Sequence, residues 1–123
     1  MAPACGGSVN VAPSAVLGGA WTLRSIETPA LGLVAPASSA SYTVAFQEGG
    51  KLSVRADCNQ CAGTYAISGD SLQVGALACT KAFCGASSYD AAFLDVLSNA
   101  ATFGVRGIEL SIESSRGTLR LIQ

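Results

Sequence analysis

Four cysteines in two closely spaced pairs constrain this chain more than any other feature of its sequence. Cys58 and Cys61 lie in the stretch DCNQCAG, and Cys79 and Cys84 lie in ACTKAFCG. Such a set is compatible with two disulfide bonds, a four-cysteine zinc site or a redox-active dithiol. Which of these forms depends on how the intervening chain brings the cysteines together.

The segment between the two cysteine pairs is predicted to form a β-hairpin. Residues 63–68 (GTYAIS) and 71–75 (SLQVG) alternate apolar and polar side chains on either side of the turn dipeptide Gly69-Asp70. The chain that enters such a hairpin and the chain that leaves it run antiparallel, side by side. The inner cysteines, Cys61 and Cys79, and the outer cysteines, Cys58 and Cys84, are therefore expected to meet in nested order.

Nested disulfides are accordingly the first interpretation, with Cys58 paired to Cys84 and Cys61 paired to Cys79. The outer bridge contributes roughly 3–4 kcal/mol in the chain-entropy model. A structural zinc site is the second interpretation, because the spacing C-x2-C-x17-C-x4-C approaches that of zinc ribbons. A thiol-disulfide oxidoreductase using Cys58 and Cys61 is the third, although the motif precedes a predicted strand and not a helix.

Short alternating segments predict an α+β fold for the remaining chain. Residues 87–100 are helix-like, because Phe93, Val96 and Leu97 follow a helical period. We expect a mostly antiparallel β-sheet of about seven strands, curled around this one α-helix. The other predicted strands are 20–27, 41–46, 51–56, 101–106, 108–113 and 118–122.

The start of the chain differs in composition from the rest. Residues 1–18 are interpreted as a flexible N-terminal tail or linker, because Gly, Pro, Ala and Ser dominate without apolar periodicity. Residues 19–123 are expected to form one domain. Cys5 lies in the tail before two glycines and is a candidate lipidation site; the alternative is an unpaired cysteine without function.

Composition argues against several classes of function. The chain has no histidine, which excludes Ser-His-Asp and Cys-His catalysis and histidine-ligated metals. Its 7 basic residues are scattered and are outnumbered by 8 acidic residues, which argues against nucleic-acid binding. No apolar run reaches the roughly 18 residues of a transmembrane helix. We therefore expect no catalytic residue, no metal ligand and no cofactor.

An ordered set of short motifs carries a family resemblance over about residues 20–122. The motifs are Trp21-x-Leu23, Phe46-x-x-Gly49-Gly50-x-Leu52, Cys58-Asn59 followed by Gly63 and Tyr65, Leu72, Leu77-Ala78-x-Thr80-x-x-x-Cys84, Phe93-Leu94 with Leu97, Gly107 with Leu110, and Gly117-x-Leu119. On these residues the chain resembles the META domain family, the HslJ-like group of bacterial envelope proteins. Family members carry cysteines at the positions of Cys58 and Cys84, whereas Cys61 and Cys79 are additions.

The resemblance implies a compact α+β fold and an extracytoplasmic location, either periplasmic or as a lipoprotein anchored to the outer membrane. It also implies a non-enzymatic binding or accessory role connected with envelope stress and antibiotic tolerance. The partner would be a protein or small-molecule ligand of the cell envelope, and we expect the protein to be a monomer.

Overall fold

The computed structural model describes residues 16–17, 19–38 and 41–123. These residues form ten β-strands and one α-helix, α1 (Asp90–Ser98), which lies between the seventh and eighth strands. The strands are β1 (Ala20–Thr28), β2 (Gly32–Val34), β3 (Tyr42–Gln47), β4 (Lys51–Ala56), β5 (Asn59–Ser68), β6 (Ser71–Val74), β7 (Ala78–Cys79), β8 (Ala100–Arg106), β9 (Glu109–Ser114) and β10 (Gly117–Ile122).

Eight of these strands close into an antiparallel β-barrel. The order around the ring is β1-β3-β4-β5-β6-β8-β9-β10, and β10 pairs with β1 from Thr22 to Glu27 to complete it. Strand β2 extends along the end of β1, and β7 extends along the start of β5. The expected α+β fold, a sheet curled around one helix, is therefore wrong: the sheet closes on itself and the fold is mostly β.

The barrel interior is filled by side chains, as expected for a ring of about eight strands. Alternation along each strand directs every second residue inward, which is clearest in β4, where Leu52, Val54 and Ala56 are buried and the intervening residues are exposed. Exposing the apolar face of a strand to water costs free energy. Closure of the barrel buries the apolar face of every strand, so no central helix is needed to cover it.

Helix α1 closes one mouth of the barrel. It contacts β4, β6, β9 and β10, which lie on different sides of the ring. Its buried side chains, Phe93, Val96 and Leu97, belong to the same core cluster as the strand residues. The helical period thus predicts the correct buried residues, but these residues cover the end of the barrel and do not form its axis.

The first described residues pack at the opposite mouth. Val16 is fully buried, and its carbonyl oxygen accepts a hydrogen bond of 3.0 Å from the Trp21 indole nitrogen. Leu17 forms a parallel bridge with Phe46 of β3. Val16 and Leu17 therefore contact the domain, although the predicted tail includes them. Residues 1–15, with the candidate lipidation site Cys5, lie outside the described residues.

A β-bulge separates β6 from β7. Tyr65 is opposite Val74, but three residues earlier Ala62 is opposite Ala78, so the β6–β7 side contains one extra residue. Gly63 faces this extra residue at close range: a Cβ atom there would lie 2.9 Å from the backbone oxygen of residue 76. The bulge shifts the register of β7 on β5 by one residue, and the chain after β7 continues beside the start of β5.

Candidate functional site

Two disulfide bonds join β5 and the turn before it to the chain around β7. Cys58 is bonded to Cys84, with Cα atoms 5.5 Å apart. Cys61 is bonded to Cys79, and the two residues lie directly opposite each other in the β5–β7 ladder. The neighbouring residues of that ladder share a backbone hydrogen bond, so the cysteines occupy the closely spaced, non-hydrogen-bonded position. Disulfide bonds, which the sequence predicts, are thus part of the structure.

The pairing bears on the other two interpretations of the cysteines. A zinc ligand or an attacking dithiol must be a thiolate. Here Cys58 and Cys61 are each bonded to a cysteine across the loop and not to each other. In this form the chain offers neither a thiolate zinc site nor a Cys58–Cys61 redox couple. Across the described residues, no group of three or more Cys, Asp or Glu side chains is placed to hold a metal ion.

Asn59 is the buried polar residue that organises the loop 80–84, which we call the stapled loop. Its side-chain oxygen accepts hydrogen bonds from the Ala82 nitrogen at 2.7 Å and from the Thr80 hydroxyl at 3.0 Å. Its side-chain nitrogen donates to the Ala82 oxygen at 3.0 Å. The same nitrogen lies 3.3 Å from Cys84 Sγ and 3.3 Å from an Asp90 carboxylate oxygen. Asn59 therefore links β5, the stapled loop and the first residue of α1.

A second polar contact fixes the start of the helix. The Tyr42 hydroxyl accepts a hydrogen bond of 2.9 Å from the Tyr89 nitrogen, and it lies 3.4 Å from both an Asp57 carboxylate oxygen and the Ser88 hydroxyl. The Tyr42 ring packs edge-on against Phe93, with 5.5 Å between ring centroids. The frame beneath the stapled loop is thus held by both polar and aromatic contacts.

The stapled loop holds an aromatic side chain out in water. The Phe83 side chain is 86% exposed. The backbone on both sides of it is held in place: Ala82 forms hydrogen bonds to the Asn59 side chain through its N–H and its carbonyl oxygen, and Cys84 is in a disulfide bond. Burial of a phenylalanine side chain is worth roughly 1.5–3 kcal/mol. Because the backbone on both sides is already fixed, little additional conformational entropy is lost when a partner covers this ring.

Sequence reasoning finds the cysteines of this site but misses Phe83. The structure brings Cys58, Cys61, Cys79 and Cys84 together around Asn59, as an antiparallel chain path requires. Phe83 lies in an irregular segment without strand or helix periodicity. The one signal in the sequence is that no other large apolar residue lies at strand or helix spacing from Phe83, so the pattern gives no reason to expect its burial.

Comparisons with known proteins agree with this fold. The model of the META domain family matches residues 14–123. The chain is similar to an NMR structure of a protein from Burkholderia xenovorans, with TM-score 0.70, 19% identity and coverage of 94% of each chain. A second NMR structure has TM-score 0.72 and 20% identity, covering 91% of this chain and 94% of the other.

A third similar structure is a crystal structure of a DUF4847 family protein from Bacteroides vulgatus ATCC 8482. Its TM-score is 0.63 at 12% identity, covering 87% of this chain and 93% of the other. At these identities the structural similarity shows the fold alone. Comparison with curated proteins gives no match. In the described parts of the chain, no helix has the length and apolarity needed to span a bilayer.

Proposed function

Because the chain belongs to the META domain family, we propose that it is a non-enzymatic binding domain of the bacterial cell envelope. The META domain is not a known enzyme family. Disulfide bonds persist in oxidising compartments such as the periplasm, whereas cytosolic thiols are kept reduced. The two disulfides therefore support an extracytoplasmic location. The protein is either periplasmic or anchored to the outer membrane by a lipid on Cys5.

The stapled loop is the binding surface in this proposal. The observation that carries it is Phe83, whose ring is 86% exposed on a backbone fixed by Asn59 and by the Cys58–Cys84 bond. Aromatic residues, phenylalanine among them, are enriched at the cores of protein interfaces. Through this loop the protein serves an accessory role in envelope stress or antibiotic tolerance.

Site-specific crosslinking in cells tests the binding surface. Phe83→p-benzoylphenylalanine should give light-dependent covalent adducts in the envelope fraction. The matched control is the same substitution at Ile108, which is 65% exposed in the turn between β8 and β9, at the opposite mouth of the barrel. Adducts of equal yield at both positions, or recovery of the protein from the cytoplasm with free thiols, would contradict the proposal.

A growth assay tests the accessory role separately. Phe83→Ser should reproduce the sensitivity of a strain lacking the protein to envelope stress, with the protein still folded and disulfide-bonded. Ile108→Ser also removes an exposed apolar side chain, 65% exposed against 86% for Phe83, and should leave growth unchanged. A Phe83→Ser strain that grows like the wild type would contradict a role for the stapled loop.

A further inference from the structure

The cationic side chains of the protein fall into two groups. Three of the 7 basic residues form ion pairs near 3.7–3.8 Å. Among the described residues, the remaining four contact no carboxylate at such a distance. The ion pairs are Arg24–Glu109, Arg116–Asp95 and Arg120–Glu27, and the remaining cations are Lys51, Arg55, Lys81 and Arg106.

Three of the unpaired cations share one side of the barrel. Lys51 and Arg55 project outward from β4, because Leu52 and Val54 point inward. Lys81 follows the end of β7, which lies beside β5 and two strands from β4. By strand geometry, Lys51 and Arg55 are about 13 Å apart along β4, and β7 lies about 10 Å from β4. We call this outer surface of β3, β4, β5 and β7 the basic face.

No acidic side chain projects from the outer surface of the described residues of these four strands. The outward residues between the cations are small or uncharged: Thr43, Ala45, Ser53, Gln60, Ala62, Ala78 and Thr80. The opposite side of the barrel, formed by β8, β9, β10 and β1, carries both signs of charge. Glu48 and Asp57 lie in the chain just beyond these strands, at the two ends of β4, so the cations outnumber the acidic residues at this face by three to two.

An exposed aromatic residue stands at the edge of the basic face. Phe83 lies two residues after Lys81 on the stapled loop. Cationic side chains beside an exposed aromatic ring are the features that peripheral proteins use on anionic membranes. We propose that the basic face binds the surface of an anionic lipid bilayer, with Phe83 entering the headgroup region. This proposal rests on the proposed function, because it names the partner of the stapled loop.

The geometry of the basic face favours a bilayer over an extended peptide. A peptide that adds to a sheet needs an unpaired strand edge. Strands β3, β4 and β5 are paired on both sides at the basic face, so their backbone groups are already used. Strand β7 pairs with β5 alone, but its free edge is only two residues long, which is too short to template an extended peptide. A bilayer needs a surface with separated cations and an apolar side chain that can leave water. Both are present here.

Vesicle binding by the purified, disulfide-bonded protein tests the proposal. The protein should co-sediment with phosphatidylglycerol vesicles at low salt, and less so as salt increases. It should not co-sediment with phosphatidylcholine vesicles. The triple variant Lys51→Gln, Arg55→Gln, Lys81→Gln should bind about 100-fold more weakly, at about fivefold for each cation. Phe83→Ser should weaken binding severalfold without a change in charge.

A control with the same change in net charge distinguishes the basic face from overall charge. The variant Arg24→Gln, Arg116→Gln, Arg120→Gln removes three cations that are ion-paired elsewhere, and it should bind vesicles like the wild type. Single variants, each expected to lose about fivefold, give the same answer if a triple variant does not fold.

Three results would overturn the proposal: no binding of the wild type to phosphatidylglycerol, equal loss in both triple variants, or binding that salt does not weaken. Failure here is distinct from failure of the proposed function. Crosslinking of Phe83 to an envelope protein, without vesicle binding, would overturn the lipid surface and leave the envelope binding domain standing.

Discussion

At the scale of single residues, Asn59 does what no other side chain of its size can do in its place. Its carboxamide accepts two hydrogen bonds through oxygen and donates through nitrogen to the Ala82 carbonyl. A carboxylate can only accept, and it would also face Asp90 at 3.3 Å. An apolar side chain would leave the backbone groups of Ala82 without partners. The stapled loop therefore depends on an amide at this buried position.

Asn59→Ala should lower the free energy of unfolding by about 2–4 kcal/mol, because it leaves buried polar groups unpaired. Chemical denaturation followed by fluorescence measures the change. The matched control is Asn99→Ala: Asn99 also bonds a backbone oxygen, that of Asp95, but it is exposed, and its loss should be about 1 kcal/mol or less. Equal losses in the two variants would show that Asn59 does not hold the loop.

The pKa of the Tyr65 hydroxyl is raised from its ordinary value of 10.0, first by burial and second by the Glu48 carboxylate. The unfolded state therefore loses this proton at a lower pH than the folded state. Below about pH 10 both states are protonated and the effect is absent; above it, the free energy of unfolding should fall as pH increases. Urea unfolding between pH 9 and pH 11 measures this decline.

Tyr65→Phe is the test of that assignment. The variant loses the hydrogen bond of 2.9 Å from the Tyr65 hydroxyl to the Gln47 oxygen, so its stability at pH 8 should be lower by about 1 kcal/mol. Its decline in stability above pH 10 should be shallower than that of the wild type. An equally steep decline in both proteins would assign the alkaline instability to other groups.

At the scale of secondary-structure elements, the bulge between β6 and β7 positions the stapled loop. Both β6 and β7 pair with β5, and the extra residue shifts the register by one, so that Cys79 lies opposite Cys61. The next residue, Thr80, then donates a hydrogen bond to the Asn59 side chain. Glycine is favoured at position 63 because a Cβ atom there would lie 2.9 Å from the Ala76 backbone oxygen, which cannot move as a side chain can. The bulge thus connects barrel geometry to loop position.

Gly63→Ala should destabilise the protein by about 1–3 kcal/mol, because the added methyl group overpacks the bulge. Gly104→Ala is the matched control: Gly104 also lies within a strand, and a Cβ atom there meets nothing within 4 Å. It should be neutral or stabilising by up to about 1 kcal/mol. Thermal unfolding of both variants measures the difference, and equal stability of the two would contradict the role of Gly63 in the bulge.

Local patterns predict the strands and the helix, but they do not predict how the barrel closes. The β3–β4 hairpin can be predicted because its alternating strands and its turn lie next to each other in the sequence. The β1–β10 pairing joins the two ends of the domain, and alternation does not specify which outer strands meet. Phe93 and Leu97 would be buried whether the helix formed the axis or covered a mouth. Long-range pairing therefore decides the fold class.

At the scale of the whole molecule, the disulfides and the barrel serve different purposes. The barrel is closed by the β1–β10 pairing and by its apolar interior. Both disulfides span fewer than 30 residues at one mouth, so neither joins distant parts of the ring. Their effect falls on the stapled loop, which carries Phe83 at the edge of the basic face. Fold and binding surface are thus stabilised by separate means.

The pairing of the cysteines in cells tests this account most directly. The protein is recovered from the envelope fraction after free thiols are alkylated in intact cells, and it is then digested without reductant. Cleavage after Tyr65 and after Lys81 separates the segment that carries Cys58 and Cys61 from Cys79 and from Cys84. Fragmentation spectra then assign each bond.

We predict two linkages, Cys58–Cys84 and Cys61–Cys79, with no alkylated cysteine among the four. A Cys58–Cys61 or Cys79–Cys84 linkage would contradict the nested pairing and restore the redox interpretation. Four alkylated cysteines would contradict the extracytoplasmic location as well, since the Cys58–Cys84 and Cys61–Cys79 disulfide bonds would then be absent in the cell.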